Sequence, residues 1–533
     1  MHPDSSLPIK PTCCPCQGHD ETSFEEAGAT GPPASRGRVP GSAVLGGMAL
    51  GGLSWSMLAA ASREEPAAPP RRPLIVKPIF TYPVPVRHPQ TSWRNWGGIQ
   101  NQEDINQEAA RIQGELEKLR AEADFPLKFL PLAKVRGVQQ LAAIGDIAQA
   151  DAILSYAGGD GAGDLMAEVN AIDRLCKDVI FFVRHQSGPL YYWYEGASAR
   201  YLRQHADQQA DQTVRCQDVV VDRLDEVLWR LRALAGLRAT VGSTILAIGG
   251  PAAWASASRK QVDTLAEARR LWKPDIRTVS YPELSKLLAA ARSNPPTVIL
   301  ARDRAEAYLK LPQTKLETSK PFVENAFLLE QVFRALMHQA NCRAITIRGC
   351  MRTIMPIAQT TACLALSLLN DAGYLAFCES DFAVIPSGML LGSISGRPTF
   401  LNDPTYPHDG IITLAHCTAP RKMDGVNLEP VRILTHFESD YGAAPKVEMA
   451  VGRKVTMIAP DFASKRWLGL SGEIEAHPFL PICRSQIDVR LKAPSPLVAQ
   501  RMPGFHWTLA YGDYLRELGY ALRRVPIGWE CLG

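Results

Sequence analysis

Short apolar runs alternating with helical stretches constrain this chain more than any other feature. Residues 73–80, 129–132, 152–156 and 178–183 are β-rich and lack the two-residue alternation of a half-exposed strand. Between the first two, Ile105, Ala109 and Ile112 take helical spacing, which predicts a polar helix over about 104–123. Leu224, Val227, Leu228 and Leu231 predict an amphipathic helix over 222–234 that closes this unit. A second series starts near Gly236, with apolar runs at 244–248, 276, 297–301, 344–348 and 374–377 and helices expected at 261–272, 284–292, 321–340 and 357–369. After about Gly396 the texture changes to short alternating strands punctuated by Gly and Pro, at 431–434, 446–451, 454–458, 472–475 and 486–491, with one helix over 511–522 closing the chain. The expected fold class is therefore α/β. Two Rossmann-like open parallel-sheet domains (71–235 and 236–393) precede a mostly antiparallel β domain (394–533).

With 533 residues the chain exceeds one ordinary core, and a net charge of +4 over that length points to neither nucleic acid nor an anionic membrane. The head, 1–70, is rich in Pro, Gly, Ala and Ser. Within it, the uncharged stretch 39–62 follows Arg36 and Arg38 and ends in small residues, the layout of an export signal; the alternatives are a disordered extension or a misassigned start. This stretch is too rich in Gly to be a good spanning helix, so stable membrane insertion after processing is not expected. Cys13, Cys14, Cys16 and His19 hold no second ligand pair at zinc-finger spacing and read as tail, while Cys350, Cys363 and Cys378 read as buried small hydrophobes. Gly249-Gly250 lacks the spacing of a phosphate loop and reads as a strand-to-helix turn.

Four polar residues end or interrupt apolar segments where a strand hands over to a loop: Glu379, Asp403, His416 and His506. Two carboxylates and two imidazoles delivered in this way are the ingredients of a divalent-metal site with acid/base groups beside it. Taken singly, Asp403 before Pro404 is a turn acid, His416 a core histidine and Glu379 a cap. Asp381 either orients a ligand or faces solvent.

The strings Gly373-Tyr-Leu-Ala-Phe-Cys-Glu-Ser-Asp381, Phe400-Leu-Asn-Asp-Pro-Thr-Tyr406, Leu414-Ala-His416 and Pro503-Gly-Phe-His-Trp507 resemble, in that order, the catalytic half of the L-fucose isomerase and L-arabinose isomerase superfamily. Asn402 stands where arabinose isomerases place a glutamate, and the 24 residues from Glu379 to Asp403 are the fucose-isomerase spacing. The resemblance implies a metal-dependent aldose–ketose isomerase acting on a small sugar. It implies Mn²⁺ (with Mg²⁺ or Co²⁺ as alternatives) held by Glu379, Asp403 and His506. Glu379 and Asp403 would serve as base and acid, with His416 touching a metal ligand or a substrate hydroxyl. It further implies a homo-oligomer, trimeric or hexameric, in which first-domain loops of one subunit complete the site of another. Trp93 and Arg94 in one loop and Arg184 in another are the expected sugar contacts; His436 and His477 are expected to be structural. Cytoplasmic location is the superfamily's habit, against export by the head. The rival readings are another metal-dependent carbohydrate enzyme on the same scaffold and a non-catalytic sugar-binding protein.

Overall fold

The first sheet is entirely parallel. It holds β1 (Leu74–Thr81), β2 (Leu127–Phe129), β3 (Ala133–Val135), β4 (Ala152–Ala157), β5 (Asp178–Val183) and β6 (Val219–Val221), in the order β2-β1-β4-β5-β6, with β3 also on β1. β2 pairs with the start of β1 and β3 with its end, so the two are one edge strand interrupted by Leu130-Pro-Leu132. Pro131 has no N–H to give to a ladder, which accounts for the break. β1, β4 and β5 are buried along almost their whole length, as parallel strands covered by helices on both faces must be. α1 (Gln102–Glu122) is fixed by a capping box between Asn101 and Asp104 and buries Ile105, Ile112, Leu116 and Leu119.

The computed structural model describes residues 68–159, 177–196, 215–253, 263–462 and 465–533. The export-signal stretch and Cys13, Cys14, Cys16 and His19 lie outside them. α2 (Leu224–Thr240) leads into a second parallel sheet of β7 (Thr244–Ile248), β8 (Asp275–Val279), β9 (Ala344–Ile347) and β10 (Leu375–Phe377), in the order β10-β9-β7-β8. The run 297–301 lies inside a helix, Pro295–Leu309, where Asn294 caps the first turn and prolines occupy it. The expected helix 357–369 is broken: a π turn and Met355–Ala358 are followed, after Gln359 at φ 55°, by Cys363–Asp371 at an 84° bend. That bent pair is apolar, but no single helix among the described residues is long and apolar enough to cross a membrane.

The third region is a closed barrel. β11 (Phe400–Pro404), β12 (Ile411–His416), β13 (Lys454–Ala459), β14 (Arg466–Ala476), β15 (Ser485–Leu491) and β16 (Trp507–Tyr511) form an antiparallel ring in the order β13-β16-β11-β12-β15-β14, and β14 pairs back to β13. Closure removes the exposed edges that an open sheet of such strands would carry. The chain ends not on a helix but on β17 (Gly528–Leu532), which adds to β14 in parallel. The helix before it is Leu515–Leu522, shorter than expected because residues 507–511 are the barrel strand that follows His506.

The described residues belong to one compact unit, and the expected boundaries are softer than the texture of the sequence suggests. α2 runs unbroken through 235/236. Thr314–Leu316 leaves the second region to pair with Val431–Leu434 of the third. Arg524 reaches from the last helical turn to Asp178 at 2.7 Å and Asp218 at 3.2 Å in the first region. α3 (Ile385–Ser395) joins β10 to β11, and a Cβ at its Gly388 would stand 2.4 Å from the Phe377 ring. Only glycine lets this helix lie so close to β10, and the contact is two residues from Glu379.

Candidate metal centre

Glu379 follows the carboxyl end of β10, the edge where open parallel sheets carry their ligands. Its backbone is unusual: Glu379 has φ 65° and Ser380 φ 48°, left-handed values that cost a non-glycine residue about 1 kcal/mol or more each. The turn is clamped from outside. Ala252, just past the Gly249-Gly250 turn after β7, donates its N–H to Ser380 O at 3.1 Å and accepts from the Phe382 N–H at 3.0 Å. The glycine pair is thus the turn the sequence suggests, and what it supports is the bend that aims Glu379.

The barrel supplies the other groups. Asp403 lies near the end of β11, paired with Ala415, and His416 ends the neighbouring strand β12. His506 immediately precedes β16, which pairs with the other side of β11. Glu379, His416 and His506 each present a ligand atom within 4.8 Å of the others, a set that could hold a metal ion. Glu379 Oε1 is 3.8 Å from His416 Nε2, and Oε2 is 3.6 Å from His506 Nε2. Asp403 Oδ1 stands 3.2 Å from His506 Nε2, and that oxygen is buried without a hydrogen bond. Atoms each about 2.1 Å from one ion stand about 3.0–3.4 Å apart in octahedral or tetrahedral arrangement, so small side-chain shifts bring these groups to ligating distance.

Both imidazoles are held by their far nitrogens. Asp381 Oδ2 is 2.7 Å from His506 Nδ1, and both side chains are buried. A carboxylate there fixes the proton on Nδ1 and leaves Nε2 as the donor facing Glu379 and Asp403, the usual support of a metal-binding histidine. Asp381 is therefore the orienting residue, not a solvent-facing acid. His416 Nδ1 meets Thr418 Oγ1 at 3.2 Å, so its Nε2 also points at Glu379. Nothing in the sequence singles out Thr418, because a Thr two residues past a strand end is commonplace. Asn402 is fully buried and donates to Phe400 O at 2.9 Å. Successive residues of a strand face opposite ways, so Asp403, and not Asn402, takes the side of the cluster.

His416, expected to support a ligand or to touch substrate, lies in the compact triad that could itself hold a metal ion, with Asp403 beside it. Arg184 corrects a second expectation. It is fully buried, in bidentate contact with Glu115 at 2.9 Å and bound to Glu108, with Tyr191 against it; it is a core ion pair, not a loop residue open to a sugar. Trp93 and Arg94 do lie on a surface loop, where the Arg94 guanidinium sits 5.4 Å from the Trp93 ring. No hydrogen bond, ion pair or ring contact joins either to the cluster among the described residues. His436 is buried with Nδ1 3.1 Å from Ser439 Oγ and against Cys417, the residue after His416, and His477 is exposed. Cys363, Cys378 and Cys417 are buried as expected of small hydrophobes; Cys350 is half-buried.

Burial works to lower the pKa of His416, but the facing Glu379 and Asp403 carboxylates outweigh it and push it up to about 9. Burial pushes Asp403 up, the facing His416 and His506 oppose it, and the net direction is upward. Burial pushes Glu379 up, but His416 and His506 win and hold it below the usual range. An ion must displace the His416 proton, so affinity for Mn²⁺ is expected to rise about tenfold per pH unit from pH 7 and to level off near pH 9. Without metal the sign reverses. The folded pKa lies above the unfolded 6.5, so the stabilisation is present below pH 6.5 and is lost as pH climbs through about 9. Calorimetric Mn²⁺ titrations across that range test this, and a pH-independent affinity contradicts it.

Ser380 gives a second prediction. Its hydroxyl is buried without a partner, and its φ suits glycine. Ser380→Gly is expected to stabilise the chain by about 1 kcal/mol in urea unfolding. A loss of stability would show that the serine contributes a contact beyond those described.

No protein-family model and no curated protein matches the chain. Among solved structures, the apo form of the dinucleotide forming acetyl-coenzyme A synthetase 1 of Ca. Korarchaeum cryptofilum is similar over 61% of this chain and 65% of that one, at 12% identity and a TM-score of 0.18. The chain thus spans 65% of that structure's length, and a likeness of this size carries no argument about fold or function.

Proposed function

We propose that the chain is a metal-dependent aldose–ketose isomerase of the L-fucose isomerase kind, with its centre at Glu379, His416, His506 and Asp403. The observation that carries this reading is the oriented His506. Asp381 holds its Nδ1 at 2.7 Å, and its Nε2 faces two carboxylates at 3.2 and 3.6 Å. A core that needed only packing would not bury Asp381 with two imidazoles and aim two half-buried acids at them from a strained turn and a strand end. The mixed carboxylate and imidazole set fits Mn²⁺ better than Mg²⁺, which prefers oxygen and retained water.

Isomerisation moves a proton between C1 and C2 of the sugar and exchanges carbonyl for hydroxyl. A bound divalent ion would polarise the carbonyl and stabilise the enediolate. The proton movement falls to the chain. Asp403, whose pKa burial raises, is suited to hand a proton on and take it back, with Glu379 across the cluster. Asp381 and Thr418 keep the imidazoles from turning away.

A panel of aldopentoses, aldohexoses and deoxyhexoses assayed for ketose with Mn²⁺, with and without chelator, tests the proposal. Chelator-sensitive ketose from one sugar supports it. The same triad is also a two-histidine, one-carboxylate set of the non-haem iron kind. Tight Fe²⁺ binding with oxygen consumption and no ketose would favour that reading instead.

A further inference from the structure

A cavity of about 360 Å³ opens at the amino ends of the second sheet, where Thr244, Ala344 and Leu375 begin β7, β9 and β10. It lies at the opposite edge from Glu379. Five arginines line it (Arg71, Arg72, Arg238, Arg343 and Arg397), and no carboxylate does. Two of them are compensated: Arg72 pairs with Asp151 at 2.9 Å and Arg238 with Asp178 at 3.7 Å. The other three are half-buried and bind only backbone carbonyls. Arg71 donates to Gly396 O at 3.1 Å, Arg343 to Gly373 O at 2.7 Å and to Pro69 O, and Arg397 to Tyr511 O at 3.0 Å. A carbonyl accepts a proton donor but cancels no charge. Burial, and then the like charge of Arg71, push the Arg343 pKa down to about 10, the sign of a cation lacking its counterion.

We propose that this cavity binds a small molecule bearing a phosphate group. Each guanidinium carries five donors in a planar fork, and only part of each fork is engaged by the carbonyls. Phosphate is the common small anion whose oxygens match several forks at once. Pro69, Pro70, Val241 and Leu375, half-buried or exposed, also line it, which gives an attached organic group a wall to pack on. Among the described residues Arg343 and Arg397 pair with no carboxylate, and Arg71 feels only Asp124. With a net charge of only +4 on the whole chain, five arginines in one cavity without a lining carboxylate are a local concentration and not a general surface property. The inference does not depend on the isomerase reading.

The test is calorimetric titration of the full chain with inorganic phosphate, pyrophosphate and adenosine monophosphate at constant chloride. Saturable one-site binding is expected, weakening as salt rises. Arg343→Gln should bind about tenfold more weakly or worse, and Arg343→Lys should recover part of the loss. Arg397→Gln serves the same purpose if the first variant does not fold, as judged by circular dichroism. No saturable binding of any of the three probes, or equal binding in the chain and its Gln variants, overturns the site. Equal affinity for inorganic phosphate and adenosine monophosphate overturns the attached organic group.

Discussion

Glu379→Gln is expected to strip the chain of bound divalent metal and to lower turnover at least about a thousandfold. Glutamine keeps the size and the backbone path of the residue, including the turn held by Ala252, so the loss isolates the charge. Glu379 faces both Nε2 atoms, at 3.8 and 3.6 Å. Its neutralisation removes a negative ligand and also the partner that keeps the His416 pKa high. Asp381→Asn is the graded companion: it leaves every ligand in place and loosens the orientation of His506, for an expected loss of about 10–100-fold in metal affinity. Elemental analysis of the purified proteins, with Mn²⁺ titration of each, checks both. Wild-type metal content in Glu379→Gln would remove Glu379 from the centre.

The largest effect on stability is expected at Arg184. Its guanidinium is fully buried, in contact with Glu108 and doubly bonded to Glu115, under the rings of Phe182 and Tyr191. Arg184→Met takes the buried cation from Glu108, which keeps Arg111 at 3.1 Å and the Tyr191 hydroxyl, and from the partly exposed Glu115. Breaking a buried pair from one side costs about 3–5 kcal/mol. The double replacement Arg184→Met with Glu108→Leu should recover part of that loss, because it removes charge on both sides. Urea unfolding of the single and double variants measures this. If Arg184→Met keeps wild-type stability while sugar turnover falls, Arg184 is a ligand contact after all.

The features legible in the sequence are those set by local pattern. β1, β4, β5 and the barrel strands β13, β14 and β15 follow from apolar runs and alternation. The expected strands 431–434 and 446–451 lie instead in a separate small sheet, and β16 is not among the expected strands. Glu379, Asp403, His416 and His506 stand out because each ends or interrupts an apolar run. What the sequence hides depends on distant partners. Arg184 in Arg184-His-Gln-Ser-Gly188 reads as an exposed polar mouth, because the carboxylates that bury it lie 69 and 76 positions earlier on α1. The place of His416 in the triad depends on Thr418 turning its ring, and the orientation of His506 on Asp381, 125 positions away. Barrel closure depends on β13 pairing with both β14 and β16, which no single strand announces. The broken helix before Cys363 is concealed by a residue, Gln359, that carries no turn signature but takes a left-handed φ.

The central claim is that the centre of Glu379, His416, His506 and Asp403 isomerises an aldose, with Asp403 and Glu379 moving the proton. Incubating the Mn²⁺-loaded chain with its best aldose in deuterium oxide and following the products by proton NMR tests it most directly. The account predicts a ketose carrying solvent deuterium at C1, formed only when metal is present and absent with Glu379→Gln. Stoichiometric Mn²⁺ at the cluster with neither ketose nor exchange from any aldose in the panel would contradict it.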